Sequence, residues 1–370
     1  MRGSVKKEGS TWYYVIDLGR DEQGKRKRKK QRGFKNKADA EKALTQILNE
    51  LDRGTFIEPT KMLYGDFLEE WLRNKQKSVK KQSFTNYVSI KEAYLLPEFG
   101  SIPIQKLNAF MLQRFVNSLC DKGLTHAYIK KITDILNSSL KRAQRLDIIQ
   151  KNPMELVEKP RIAKKEMKVW DIAETEKFLR SAKPERVYIA FLLAITTGMR
   201  QGEILGLRWK DINFDKSSLC ISQTLSHDGK ELISEAKTKS SIRSIHLPNE
   251  TIEELKRHRS LIIKEKLLSG EEYKDHDLVV CTSVGTPMIP RNLTKIWKRL
   301  TSQARVSSIR FHDLRHTHAT LLLSQGIHIK VVSERLGHND TRMTLDTYSH
   351  LLPSMQAEAS KAIDQALFKR

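Results

Sequence analysis

Acidic side chains are in short supply in this chain. Its 370 residues carry 44 Asp and Glu against 67 Lys and Arg, a formal charge of +23. That imbalance points to a polyanionic partner, nucleic acid before a membrane surface. Cysteine is scarcer still: Cys120, Cys220 and Cys281 lie far apart, with no Cys-x-x-Cys pair and no zinc spacing. A reducing cytosol and no structural metal are the natural expectations. No apolar run approaches the ~18 residues of a membrane span. Met1-Arg2-Gly3-Ser4 leads into lysines and not into the apolar stretch of a signal peptide. There is no Walker A run to hold a nucleotide, and no carboxylate cluster to hold the two metals of a nuclease. Neither cofactor nor metal is expected.

What is present falls into segments, and the length allows two or three domains. Trp12, Tyr14, Ile16 and Leu18 alternate with Tyr13, Val15 and Asp17, which predicts a strand. Asp21 to Gly24 reads as a turn. Lys25, Arg26, Lys27, Arg28, Lys29, Lys30 and Arg32 follow, seven basic residues in eight. Between an aromatic strand and a capped helix, this run reads as a second strand and not as a solvated tail. Asn36 is placed to cap a helix whose face is Ala40, Ala43, Leu44, Ile47, Leu48 and Leu51. Residues 1–56 hold fifteen Lys and Arg against eight Asp and Glu. The alternate basic residues would occupy the sheet face that the helix leaves open, a width suited to a major groove.

A linker over 54–62 precedes a second domain, 62–160. Four apolar helical faces predict a compact four-helix bundle, with a break over 97–103. Residues 158–168 form a second, basic linker containing Lys164 and Lys165. A mixed α/β domain, mainly helical, spans 169–370, with strands expected at 219–222 and 241–247. The fold class expected is therefore mainly α with small β-sheets: a sheet-plus-helix domain, a helical bundle and a mixed α/β domain.

Two stretches of the last domain carry candidate chemistry. Phe311-His312-Asp313-Leu314-Arg315-His316 puts His312 and Arg315 three apart, on one face if helical. An imidazole and a planar guanidinium fork can then meet one anion. Gly337 reads as a helix stop that leaves His338 at a turn. Tyr348 follows ten residues later as the one tyrosine of the stretch, and its phenol can form a phosphoester. Upstream, Thr197-Gly198-Met199-Arg200-Gln201-Gly202-Glu203 places Glu203 one turn from Arg200, where it can orient that arginine or His312.

Arg-x-x-Glu, then His-x-x-Arg, Leu-Gly-His and Tyr, in this order and spacing, resemble the tyrosine recombinase (phage-type integrase) family over residues 62–350. The first fifty-odd residues resemble the arm-binding domain of phage and conjugative-transposon integrases. The resemblance implies that 62–160 is the core-binding domain and 169–370 the catalytic one, closing on duplex DNA with the basic linker across the phosphates. It implies that Arg200 and Arg315 grip the scissile phosphate and that Tyr348 attacks it. His312 would assist the proton transfer and His338 bond the phosphate. A hairpin lysine would protonate the leaving 5′ oxygen: Lys237, in Glu235-Ala236-Lys237-Thr238-Lys239, with Lys239 the close competitor. The 3′-phosphotyrosyl link would conserve the bond energy, so no ATP is needed. The expected function is site-specific integration, with excision, of a mobile element. Its partners would be attachment-site DNA, three further copies of the chain in a tetramer, and an excisionase or host DNA-bending protein. A type IB topoisomerase-like relaxing enzyme shares the chemistry but not strand exchange between two sites. A noncatalytic DNA-binding regulator would form no covalent adduct.

Overall fold

The computed structural model describes residues 3–20, 24–53, 56–162, 167–234, 243–338, 340–348 and 353–368. The chain divides into two compact units, Met1–Lys164 and Lys165–Arg370. Lys164, Lys165, Lys237 and Lys239 lie outside the described residues, as do the side chain of Lys27 and residues 21–23 of the turn expected at 21–24.

The first unit opens with an antiparallel sheet in the order β1 (Gly3–Glu8), β2 (Thr11–Arg20), β3 (Arg26–Phe34), followed by α1 (Lys37–Asp52). The basic run is indeed a strand. Tyr14 and Ile16 are fully buried against Leu44, with Leu18, Phe34, Ile47, Leu48 and Leu51 around them. Asn36 accepts from the Asp39 N–H at 2.8 Å and starts α1. β1 carries too little apolar pattern to be seen in the sequence; pairing with β2, Val5 opposite Tyr14, makes it a strand.

Residues directly opposite in a ladder share a face. Lys29 lies opposite the buried Ile16, so it sits on the helix side, its Nζ 5.1 Å from the centre of the Phe56 ring. Arg28 and Lys30 lie opposite Asp17 and Val15 on the open face. Lys30 there stands 3.8 Å over the Tyr13 ring, and Lys30 and Arg32 both pair with Glu8.

The rest of this unit packs α2 (Tyr64–Gln76), α3 (Lys81–Ile90), α4 (Leu96–Phe99), α5 (Ala109–Asp121) and α6 (His126–Arg145) around a second core of Trp71, Phe99, Phe115, Ile132 and Leu136. Within the break expected over 97–103, Pro97 itself does not end the helix. A wider turn over Lys91–Leu95, with Leu96 N–H bonded to Lys91 O, joins α3 to α4 and absorbs the proline in the first turn of α4. The chain leaves the helix at Gly100 instead.

The second unit begins with α7 (Ile172–Ala182), capped by Asp171, then α8 (Tyr188–Thr197) and α9 (Gln201–Gly206). Strands β4 (Ile212–Asn213), β5 (Ser218–Ile221), β6 (Gln223–Leu225), β7 (Leu232–Ser234) and β8 (Arg243–His246) come next. They form an antiparallel sheet β4-β5-β8 and a separate β6–β7 hairpin. That hairpin was not expected, because Leu232–Ser234 becomes a strand only through its register with β6. Helices α10 (Asn249–Ser269), α11 (Pro290–Gln303), α12 (Asp313–Ser324), α13 (Ile329–Leu336), α14 (Thr341–Tyr348) and α15 (Pro353–Leu367) complete the unit.

An aromatic cluster sets the approach to α12. Trp297 stands 4.8 Å from Phe178, 5.1 Å from Trp170 and 5.7 Å from Phe311, ring centre to ring centre. Its Nε1 donates to Ile309 O at 3.1 Å, and Trp170 Nε1 donates to Ser307 O at 2.8 Å. The two indoles thereby hold the chain that delivers His312 and Arg315. Trp297→Ala should cost about 3–5 kcal/mol of unfolding free energy in a denaturant titration; a loss under about 1 kcal/mol would show that the cluster does not support this segment.

Candidate active site

The site is built around a buried cation. Arg315, in the first turn of α12, is 4% exposed. Its Nη1 donates to Gly198 O at 2.8 Å and its Nη2 to Leu336 O at 2.5 Å. Both carbonyls stand at helix C-termini, those of α8 and α13, where unpaired C=O groups carry partial negative charge. Gly198 and Gly337 end these helices at φ +67° and +69°, a backbone that glycine adopts without strain. A Cβ on Gly198 would also stand 2.7 Å from the His318 ring. No carboxylate bonds to Arg315 among the described residues. Burial, and next Arg200, lower its pKa to about 9, which leaves it charged at neutral pH. Two anchors leave the remaining N–H groups of the fork for an anion.

Arg200 follows Gly198 by two residues and caps α9 in an extended conformation. Glu203, 2% exposed, accepts from the Arg200 backbone N–H and from Arg200 Nη1, each at 2.8 Å. The same carboxylate accepts from Arg243 Nη1 at 3.2 Å and Nη2 at 2.7 Å. Burial pushes the Glu203 carboxyl up, but Arg243 and Arg200 outweigh it and hold the pKa below the usual range. Glu203 therefore orients Arg200 and makes no bond to His312.

Tyr348, at the end of α14, is 1% exposed and packs among Ala319, Leu323, Val332 and Leu336. Its hydroxyl lies 2.7 Å from Nδ1 of His316. The partner expected from the sequence was His312; that residue caps α12, is exposed, and meets the His316 ring edge-on at 5.5 Å. The difference is one of helix geometry: His316 lies one turn further along the helix than His312, on the side that α14 approaches. Burial raises the Tyr348 phenol while Arg315 draws it down. His316 is held below 6.5 by burial and then by His312, with Arg315 adding to the effect, so it is neutral at pH 7.

His338 follows Gly337, with Nδ1 2.8 Å from Thr344 Oγ1. Burial, then Arg315 and Arg200, bring its pKa to about 4. In the tautomer in which Thr344 donates to Nδ1, the proton sits on Nε2, a neutral donor for an anion. The structure thus gathers Arg200, Glu203, His312, Arg315, His338 and Tyr348 in one unit. The basic residues of β3 and its approach, Lys25 to Arg32, belong to the other unit and are no part of this cluster. Among the described residues no group of His, Cys, Asp and Glu is placed to hold a metal ion.

Sequence reasoning passed over His316 and Arg243. His316 had a signal: it stands four residues from His312, a facing position on a helix. Arg243 had none, because its partners lie 40 and 92 residues away. Glu203→Ala would leave the 10%-exposed Arg243 without its carboxylate, and should cost about 3–5 kcal/mol in urea unfolding. Unchanged stability would mean that the ion pairs are dispensable.

Comparison with known proteins places this geometry in context. The model of the phage integrase family matches residues 164–355, that of an arm DNA-binding domain 4–51, and that of a phage integrase N-terminal SAM-like domain 63–120. A tyrosine recombinase XerC-like protein of Caldanaerobacter subterraneus subsp. tengcongensis is 30% identical over 97% of both chains. The ICEBs1 integrase of Bacillus subtilis is 27% identical over 77% of this chain and 78% of its own. Among solved structures, the Tn1549 transposon integrase in complex with a circular intermediate DNA superposes with a TM-score of 0.70 at 21% identity, over 81% of this chain and 99% of that one.

Proposed function

The chain belongs to the phage integrase family and is a tyrosine-type site-specific recombinase, and we propose that it integrates and excises a mobile element through a 3′-phosphotyrosyl link at Tyr348. The observation that carries this reading is the Tyr348 hydroxyl set against a neutral imidazole beside the buried Arg315. A phenol with an ordinary pKa of about 10 is a poor nucleophile unaided. Here His316 Nδ1 takes its proton as the oxygen attacks phosphorus. Arg200 and Arg315 hold the non-bridging oxygens, where charge builds in the transition state, and His338 Nε2 donates to one of them. His312, exposed beside His316, supports the same proton transfer.

The P–O5′ bond breaks as the Tyr348–phosphorus bond forms. Lys237, or Lys239 in its place, supplies the proton to the departing 5′ oxygen. A 5′ hydroxyl from the second duplex then attacks the phosphotyrosyl ester and gives its proton back to the lysine, while His316 returns the first proton to the departing phenolate. The two steps balance without nucleotide or metal.

The rest of the chain serves DNA. Residues 1–56 form the arm-binding domain, with Arg28, Lys30 and Arg32 on the open face of the sheet beside Tyr13. Lys25, Arg26 and Lys27 at the start of that strand reach the backbone. Residues 62–160 form the core-binding domain, and Lys164 and Lys165 in the second linker meet phosphates. Four protomers act on two attachment sites in the cytosol, with an excisionase or host DNA-bending protein setting direction.

Two experiments test the chemistry. A nicked suicide duplex carrying the attachment core should trap wild-type protein as a DNA adduct that survives denaturant, with the nucleotide on Tyr348. EDTA should not prevent it, and Tyr348→Phe should abolish it while DNA binding persists. An adduct in Tyr348→Phe would overturn the assignment.

The second concerns His316, whose lowered pKa keeps it in the base form above 6.5. Cleavage by the wild type should be steady across neutral pH and fall only on acidification below the range of an ordinary histidine, as the ring takes up a proton. His316→Ala should be slower by about 100-fold and lose that acid limb; an unchanged pH profile would remove His316 from the reaction.

A further inference from the structure

Three parts of the site meet on a side chain that the reaction does not use. Arg243 is the first residue of β8. Its Nη1 and Nη2 donate to the two oxygens of Glu203, the carboxylate that holds Arg200. Its Nε donates to the carbonyl of Arg335 at 3.0 Å, in the last turn of α13 and three residues before His338. Arg335 returns the tie: its Nη2 donates to His246 O, at the far end of β8, and to Thr196 O, near the end of α8, each at 3.0 Å. Its Nε reaches His318 Nε2 at 3.3 Å. Two arginines thus join β8 and α13 in opposite directions. The fit is close, for a Cβ on Gly337 would stand 2.8 Å from Arg243 Nη1 and 3.0 Å from its Cζ.

We propose that Arg243 is a positioning residue for the phosphate clamp. It holds Arg200, through Glu203, and His338, through the end of α13, in one register, so that both reach the same phosphate. Only a guanidinium can do this. Its planar fork covers both carboxylate oxygens while the Nε–H, pointing another way, serves the carbonyl; an ammonium is a single point of charge. Without it Glu203 keeps its two bonds to Arg200 but loses the pair that ties it to β8, and α13 loses one of its two arginine ties to β8. The inference rests on the Tyr348 chemistry proposed above.

The test uses the full chain and a suicide duplex bearing the attachment core, in single-turnover adduct formation. Arg243→Lys keeps a cation over Glu203, and Arg243→Gln keeps a hydrogen-bonding group. Both should unfold cooperatively in a melt and bind the duplex within about 3-fold of wild type, yet cleave about 10- to 100-fold more slowly. The loss should persist on DNA with a 5′-bridging phosphorothiolate, whose sulfur leaves without needing a proton. In an Arg200→Lys background, on that same DNA, Arg243→Lys should slow cleavage by less than it does in wild type, because one of the two groups it positions is already impaired.

Multiplicative losses in the double variant would mark a general packing role and overturn the proposal. So would recovery on the phosphorothiolate, which would tie Arg243 to the proton donor, an unchanged cleavage rate, or failure of both variants to fold. If wild-type protein forms no adduct at Tyr348, the chemistry itself fails. An adduct in wild type with any of the other results removes Arg243 alone.

Discussion

The site depends on a buried cation to which no carboxylate among the described residues bonds. Arg315 is almost sealed from water, and its direct partners are two main-chain carbonyls at the ends of α8 and α13. Burying a charge is costly unless dipoles or counter-charges replace its hydration. Helix C-termini supply such dipoles, but only in part. The uncompensated remainder is what an anion would relieve. Gly198 and Gly337 belong to the same constraint, since each turns a helix end so that its carbonyl faces the guanidinium.

The surplus of positive charge also governs the acid–base groups. His316 and His338 are both held in the neutral form, by burial first and then by charged or basic neighbours, Arg315 among them for each. A neutral ring beside Tyr348 can accept a proton, and a neutral ring beside Thr344 can donate one from its other nitrogen. Tyr348 is under opposed influences: burial keeps the phenol protonated, while Arg315 favours the phenolate. The same arginine that would hold the phosphate thus also favours the charge that forms on the attacking oxygen.

The small N-terminal sheet illustrates a different economy. One face is closed by α1 on Tyr14, Ile16 and Leu44. The other keeps Arg28, Lys30 and Arg32, and Glu8 pairs with the last two. Such exposed pairs contribute little to stability. They do limit the repulsion among neighbouring basic side chains.

Much was readable from the sequence, because it is decided within a few residues. The helical faces follow from the 3.6-residue period, the starts of α1 and α7 from Asn36 and Asp171, and the end of α13 from Gly337. Arg200, Glu203, His312, Arg315, His338 and Tyr348 stood out by local spacing, and the fold brings them together. Tertiary structure alone decided the rest. Gly3–Glu8 and the β6–β7 hairpin are strands only because a partner supplies the ladder. The helix runs through Pro97 because a wider turn precedes it. Tyr348 meets His316 across 32 residues, and Arg243 reaches Glu203 across 40 and Arg335 across 92. A side chain's own sequence states what it can bond to; which of many distant partners it meets is set by how the elements pack, and local periodicity carries no record of that.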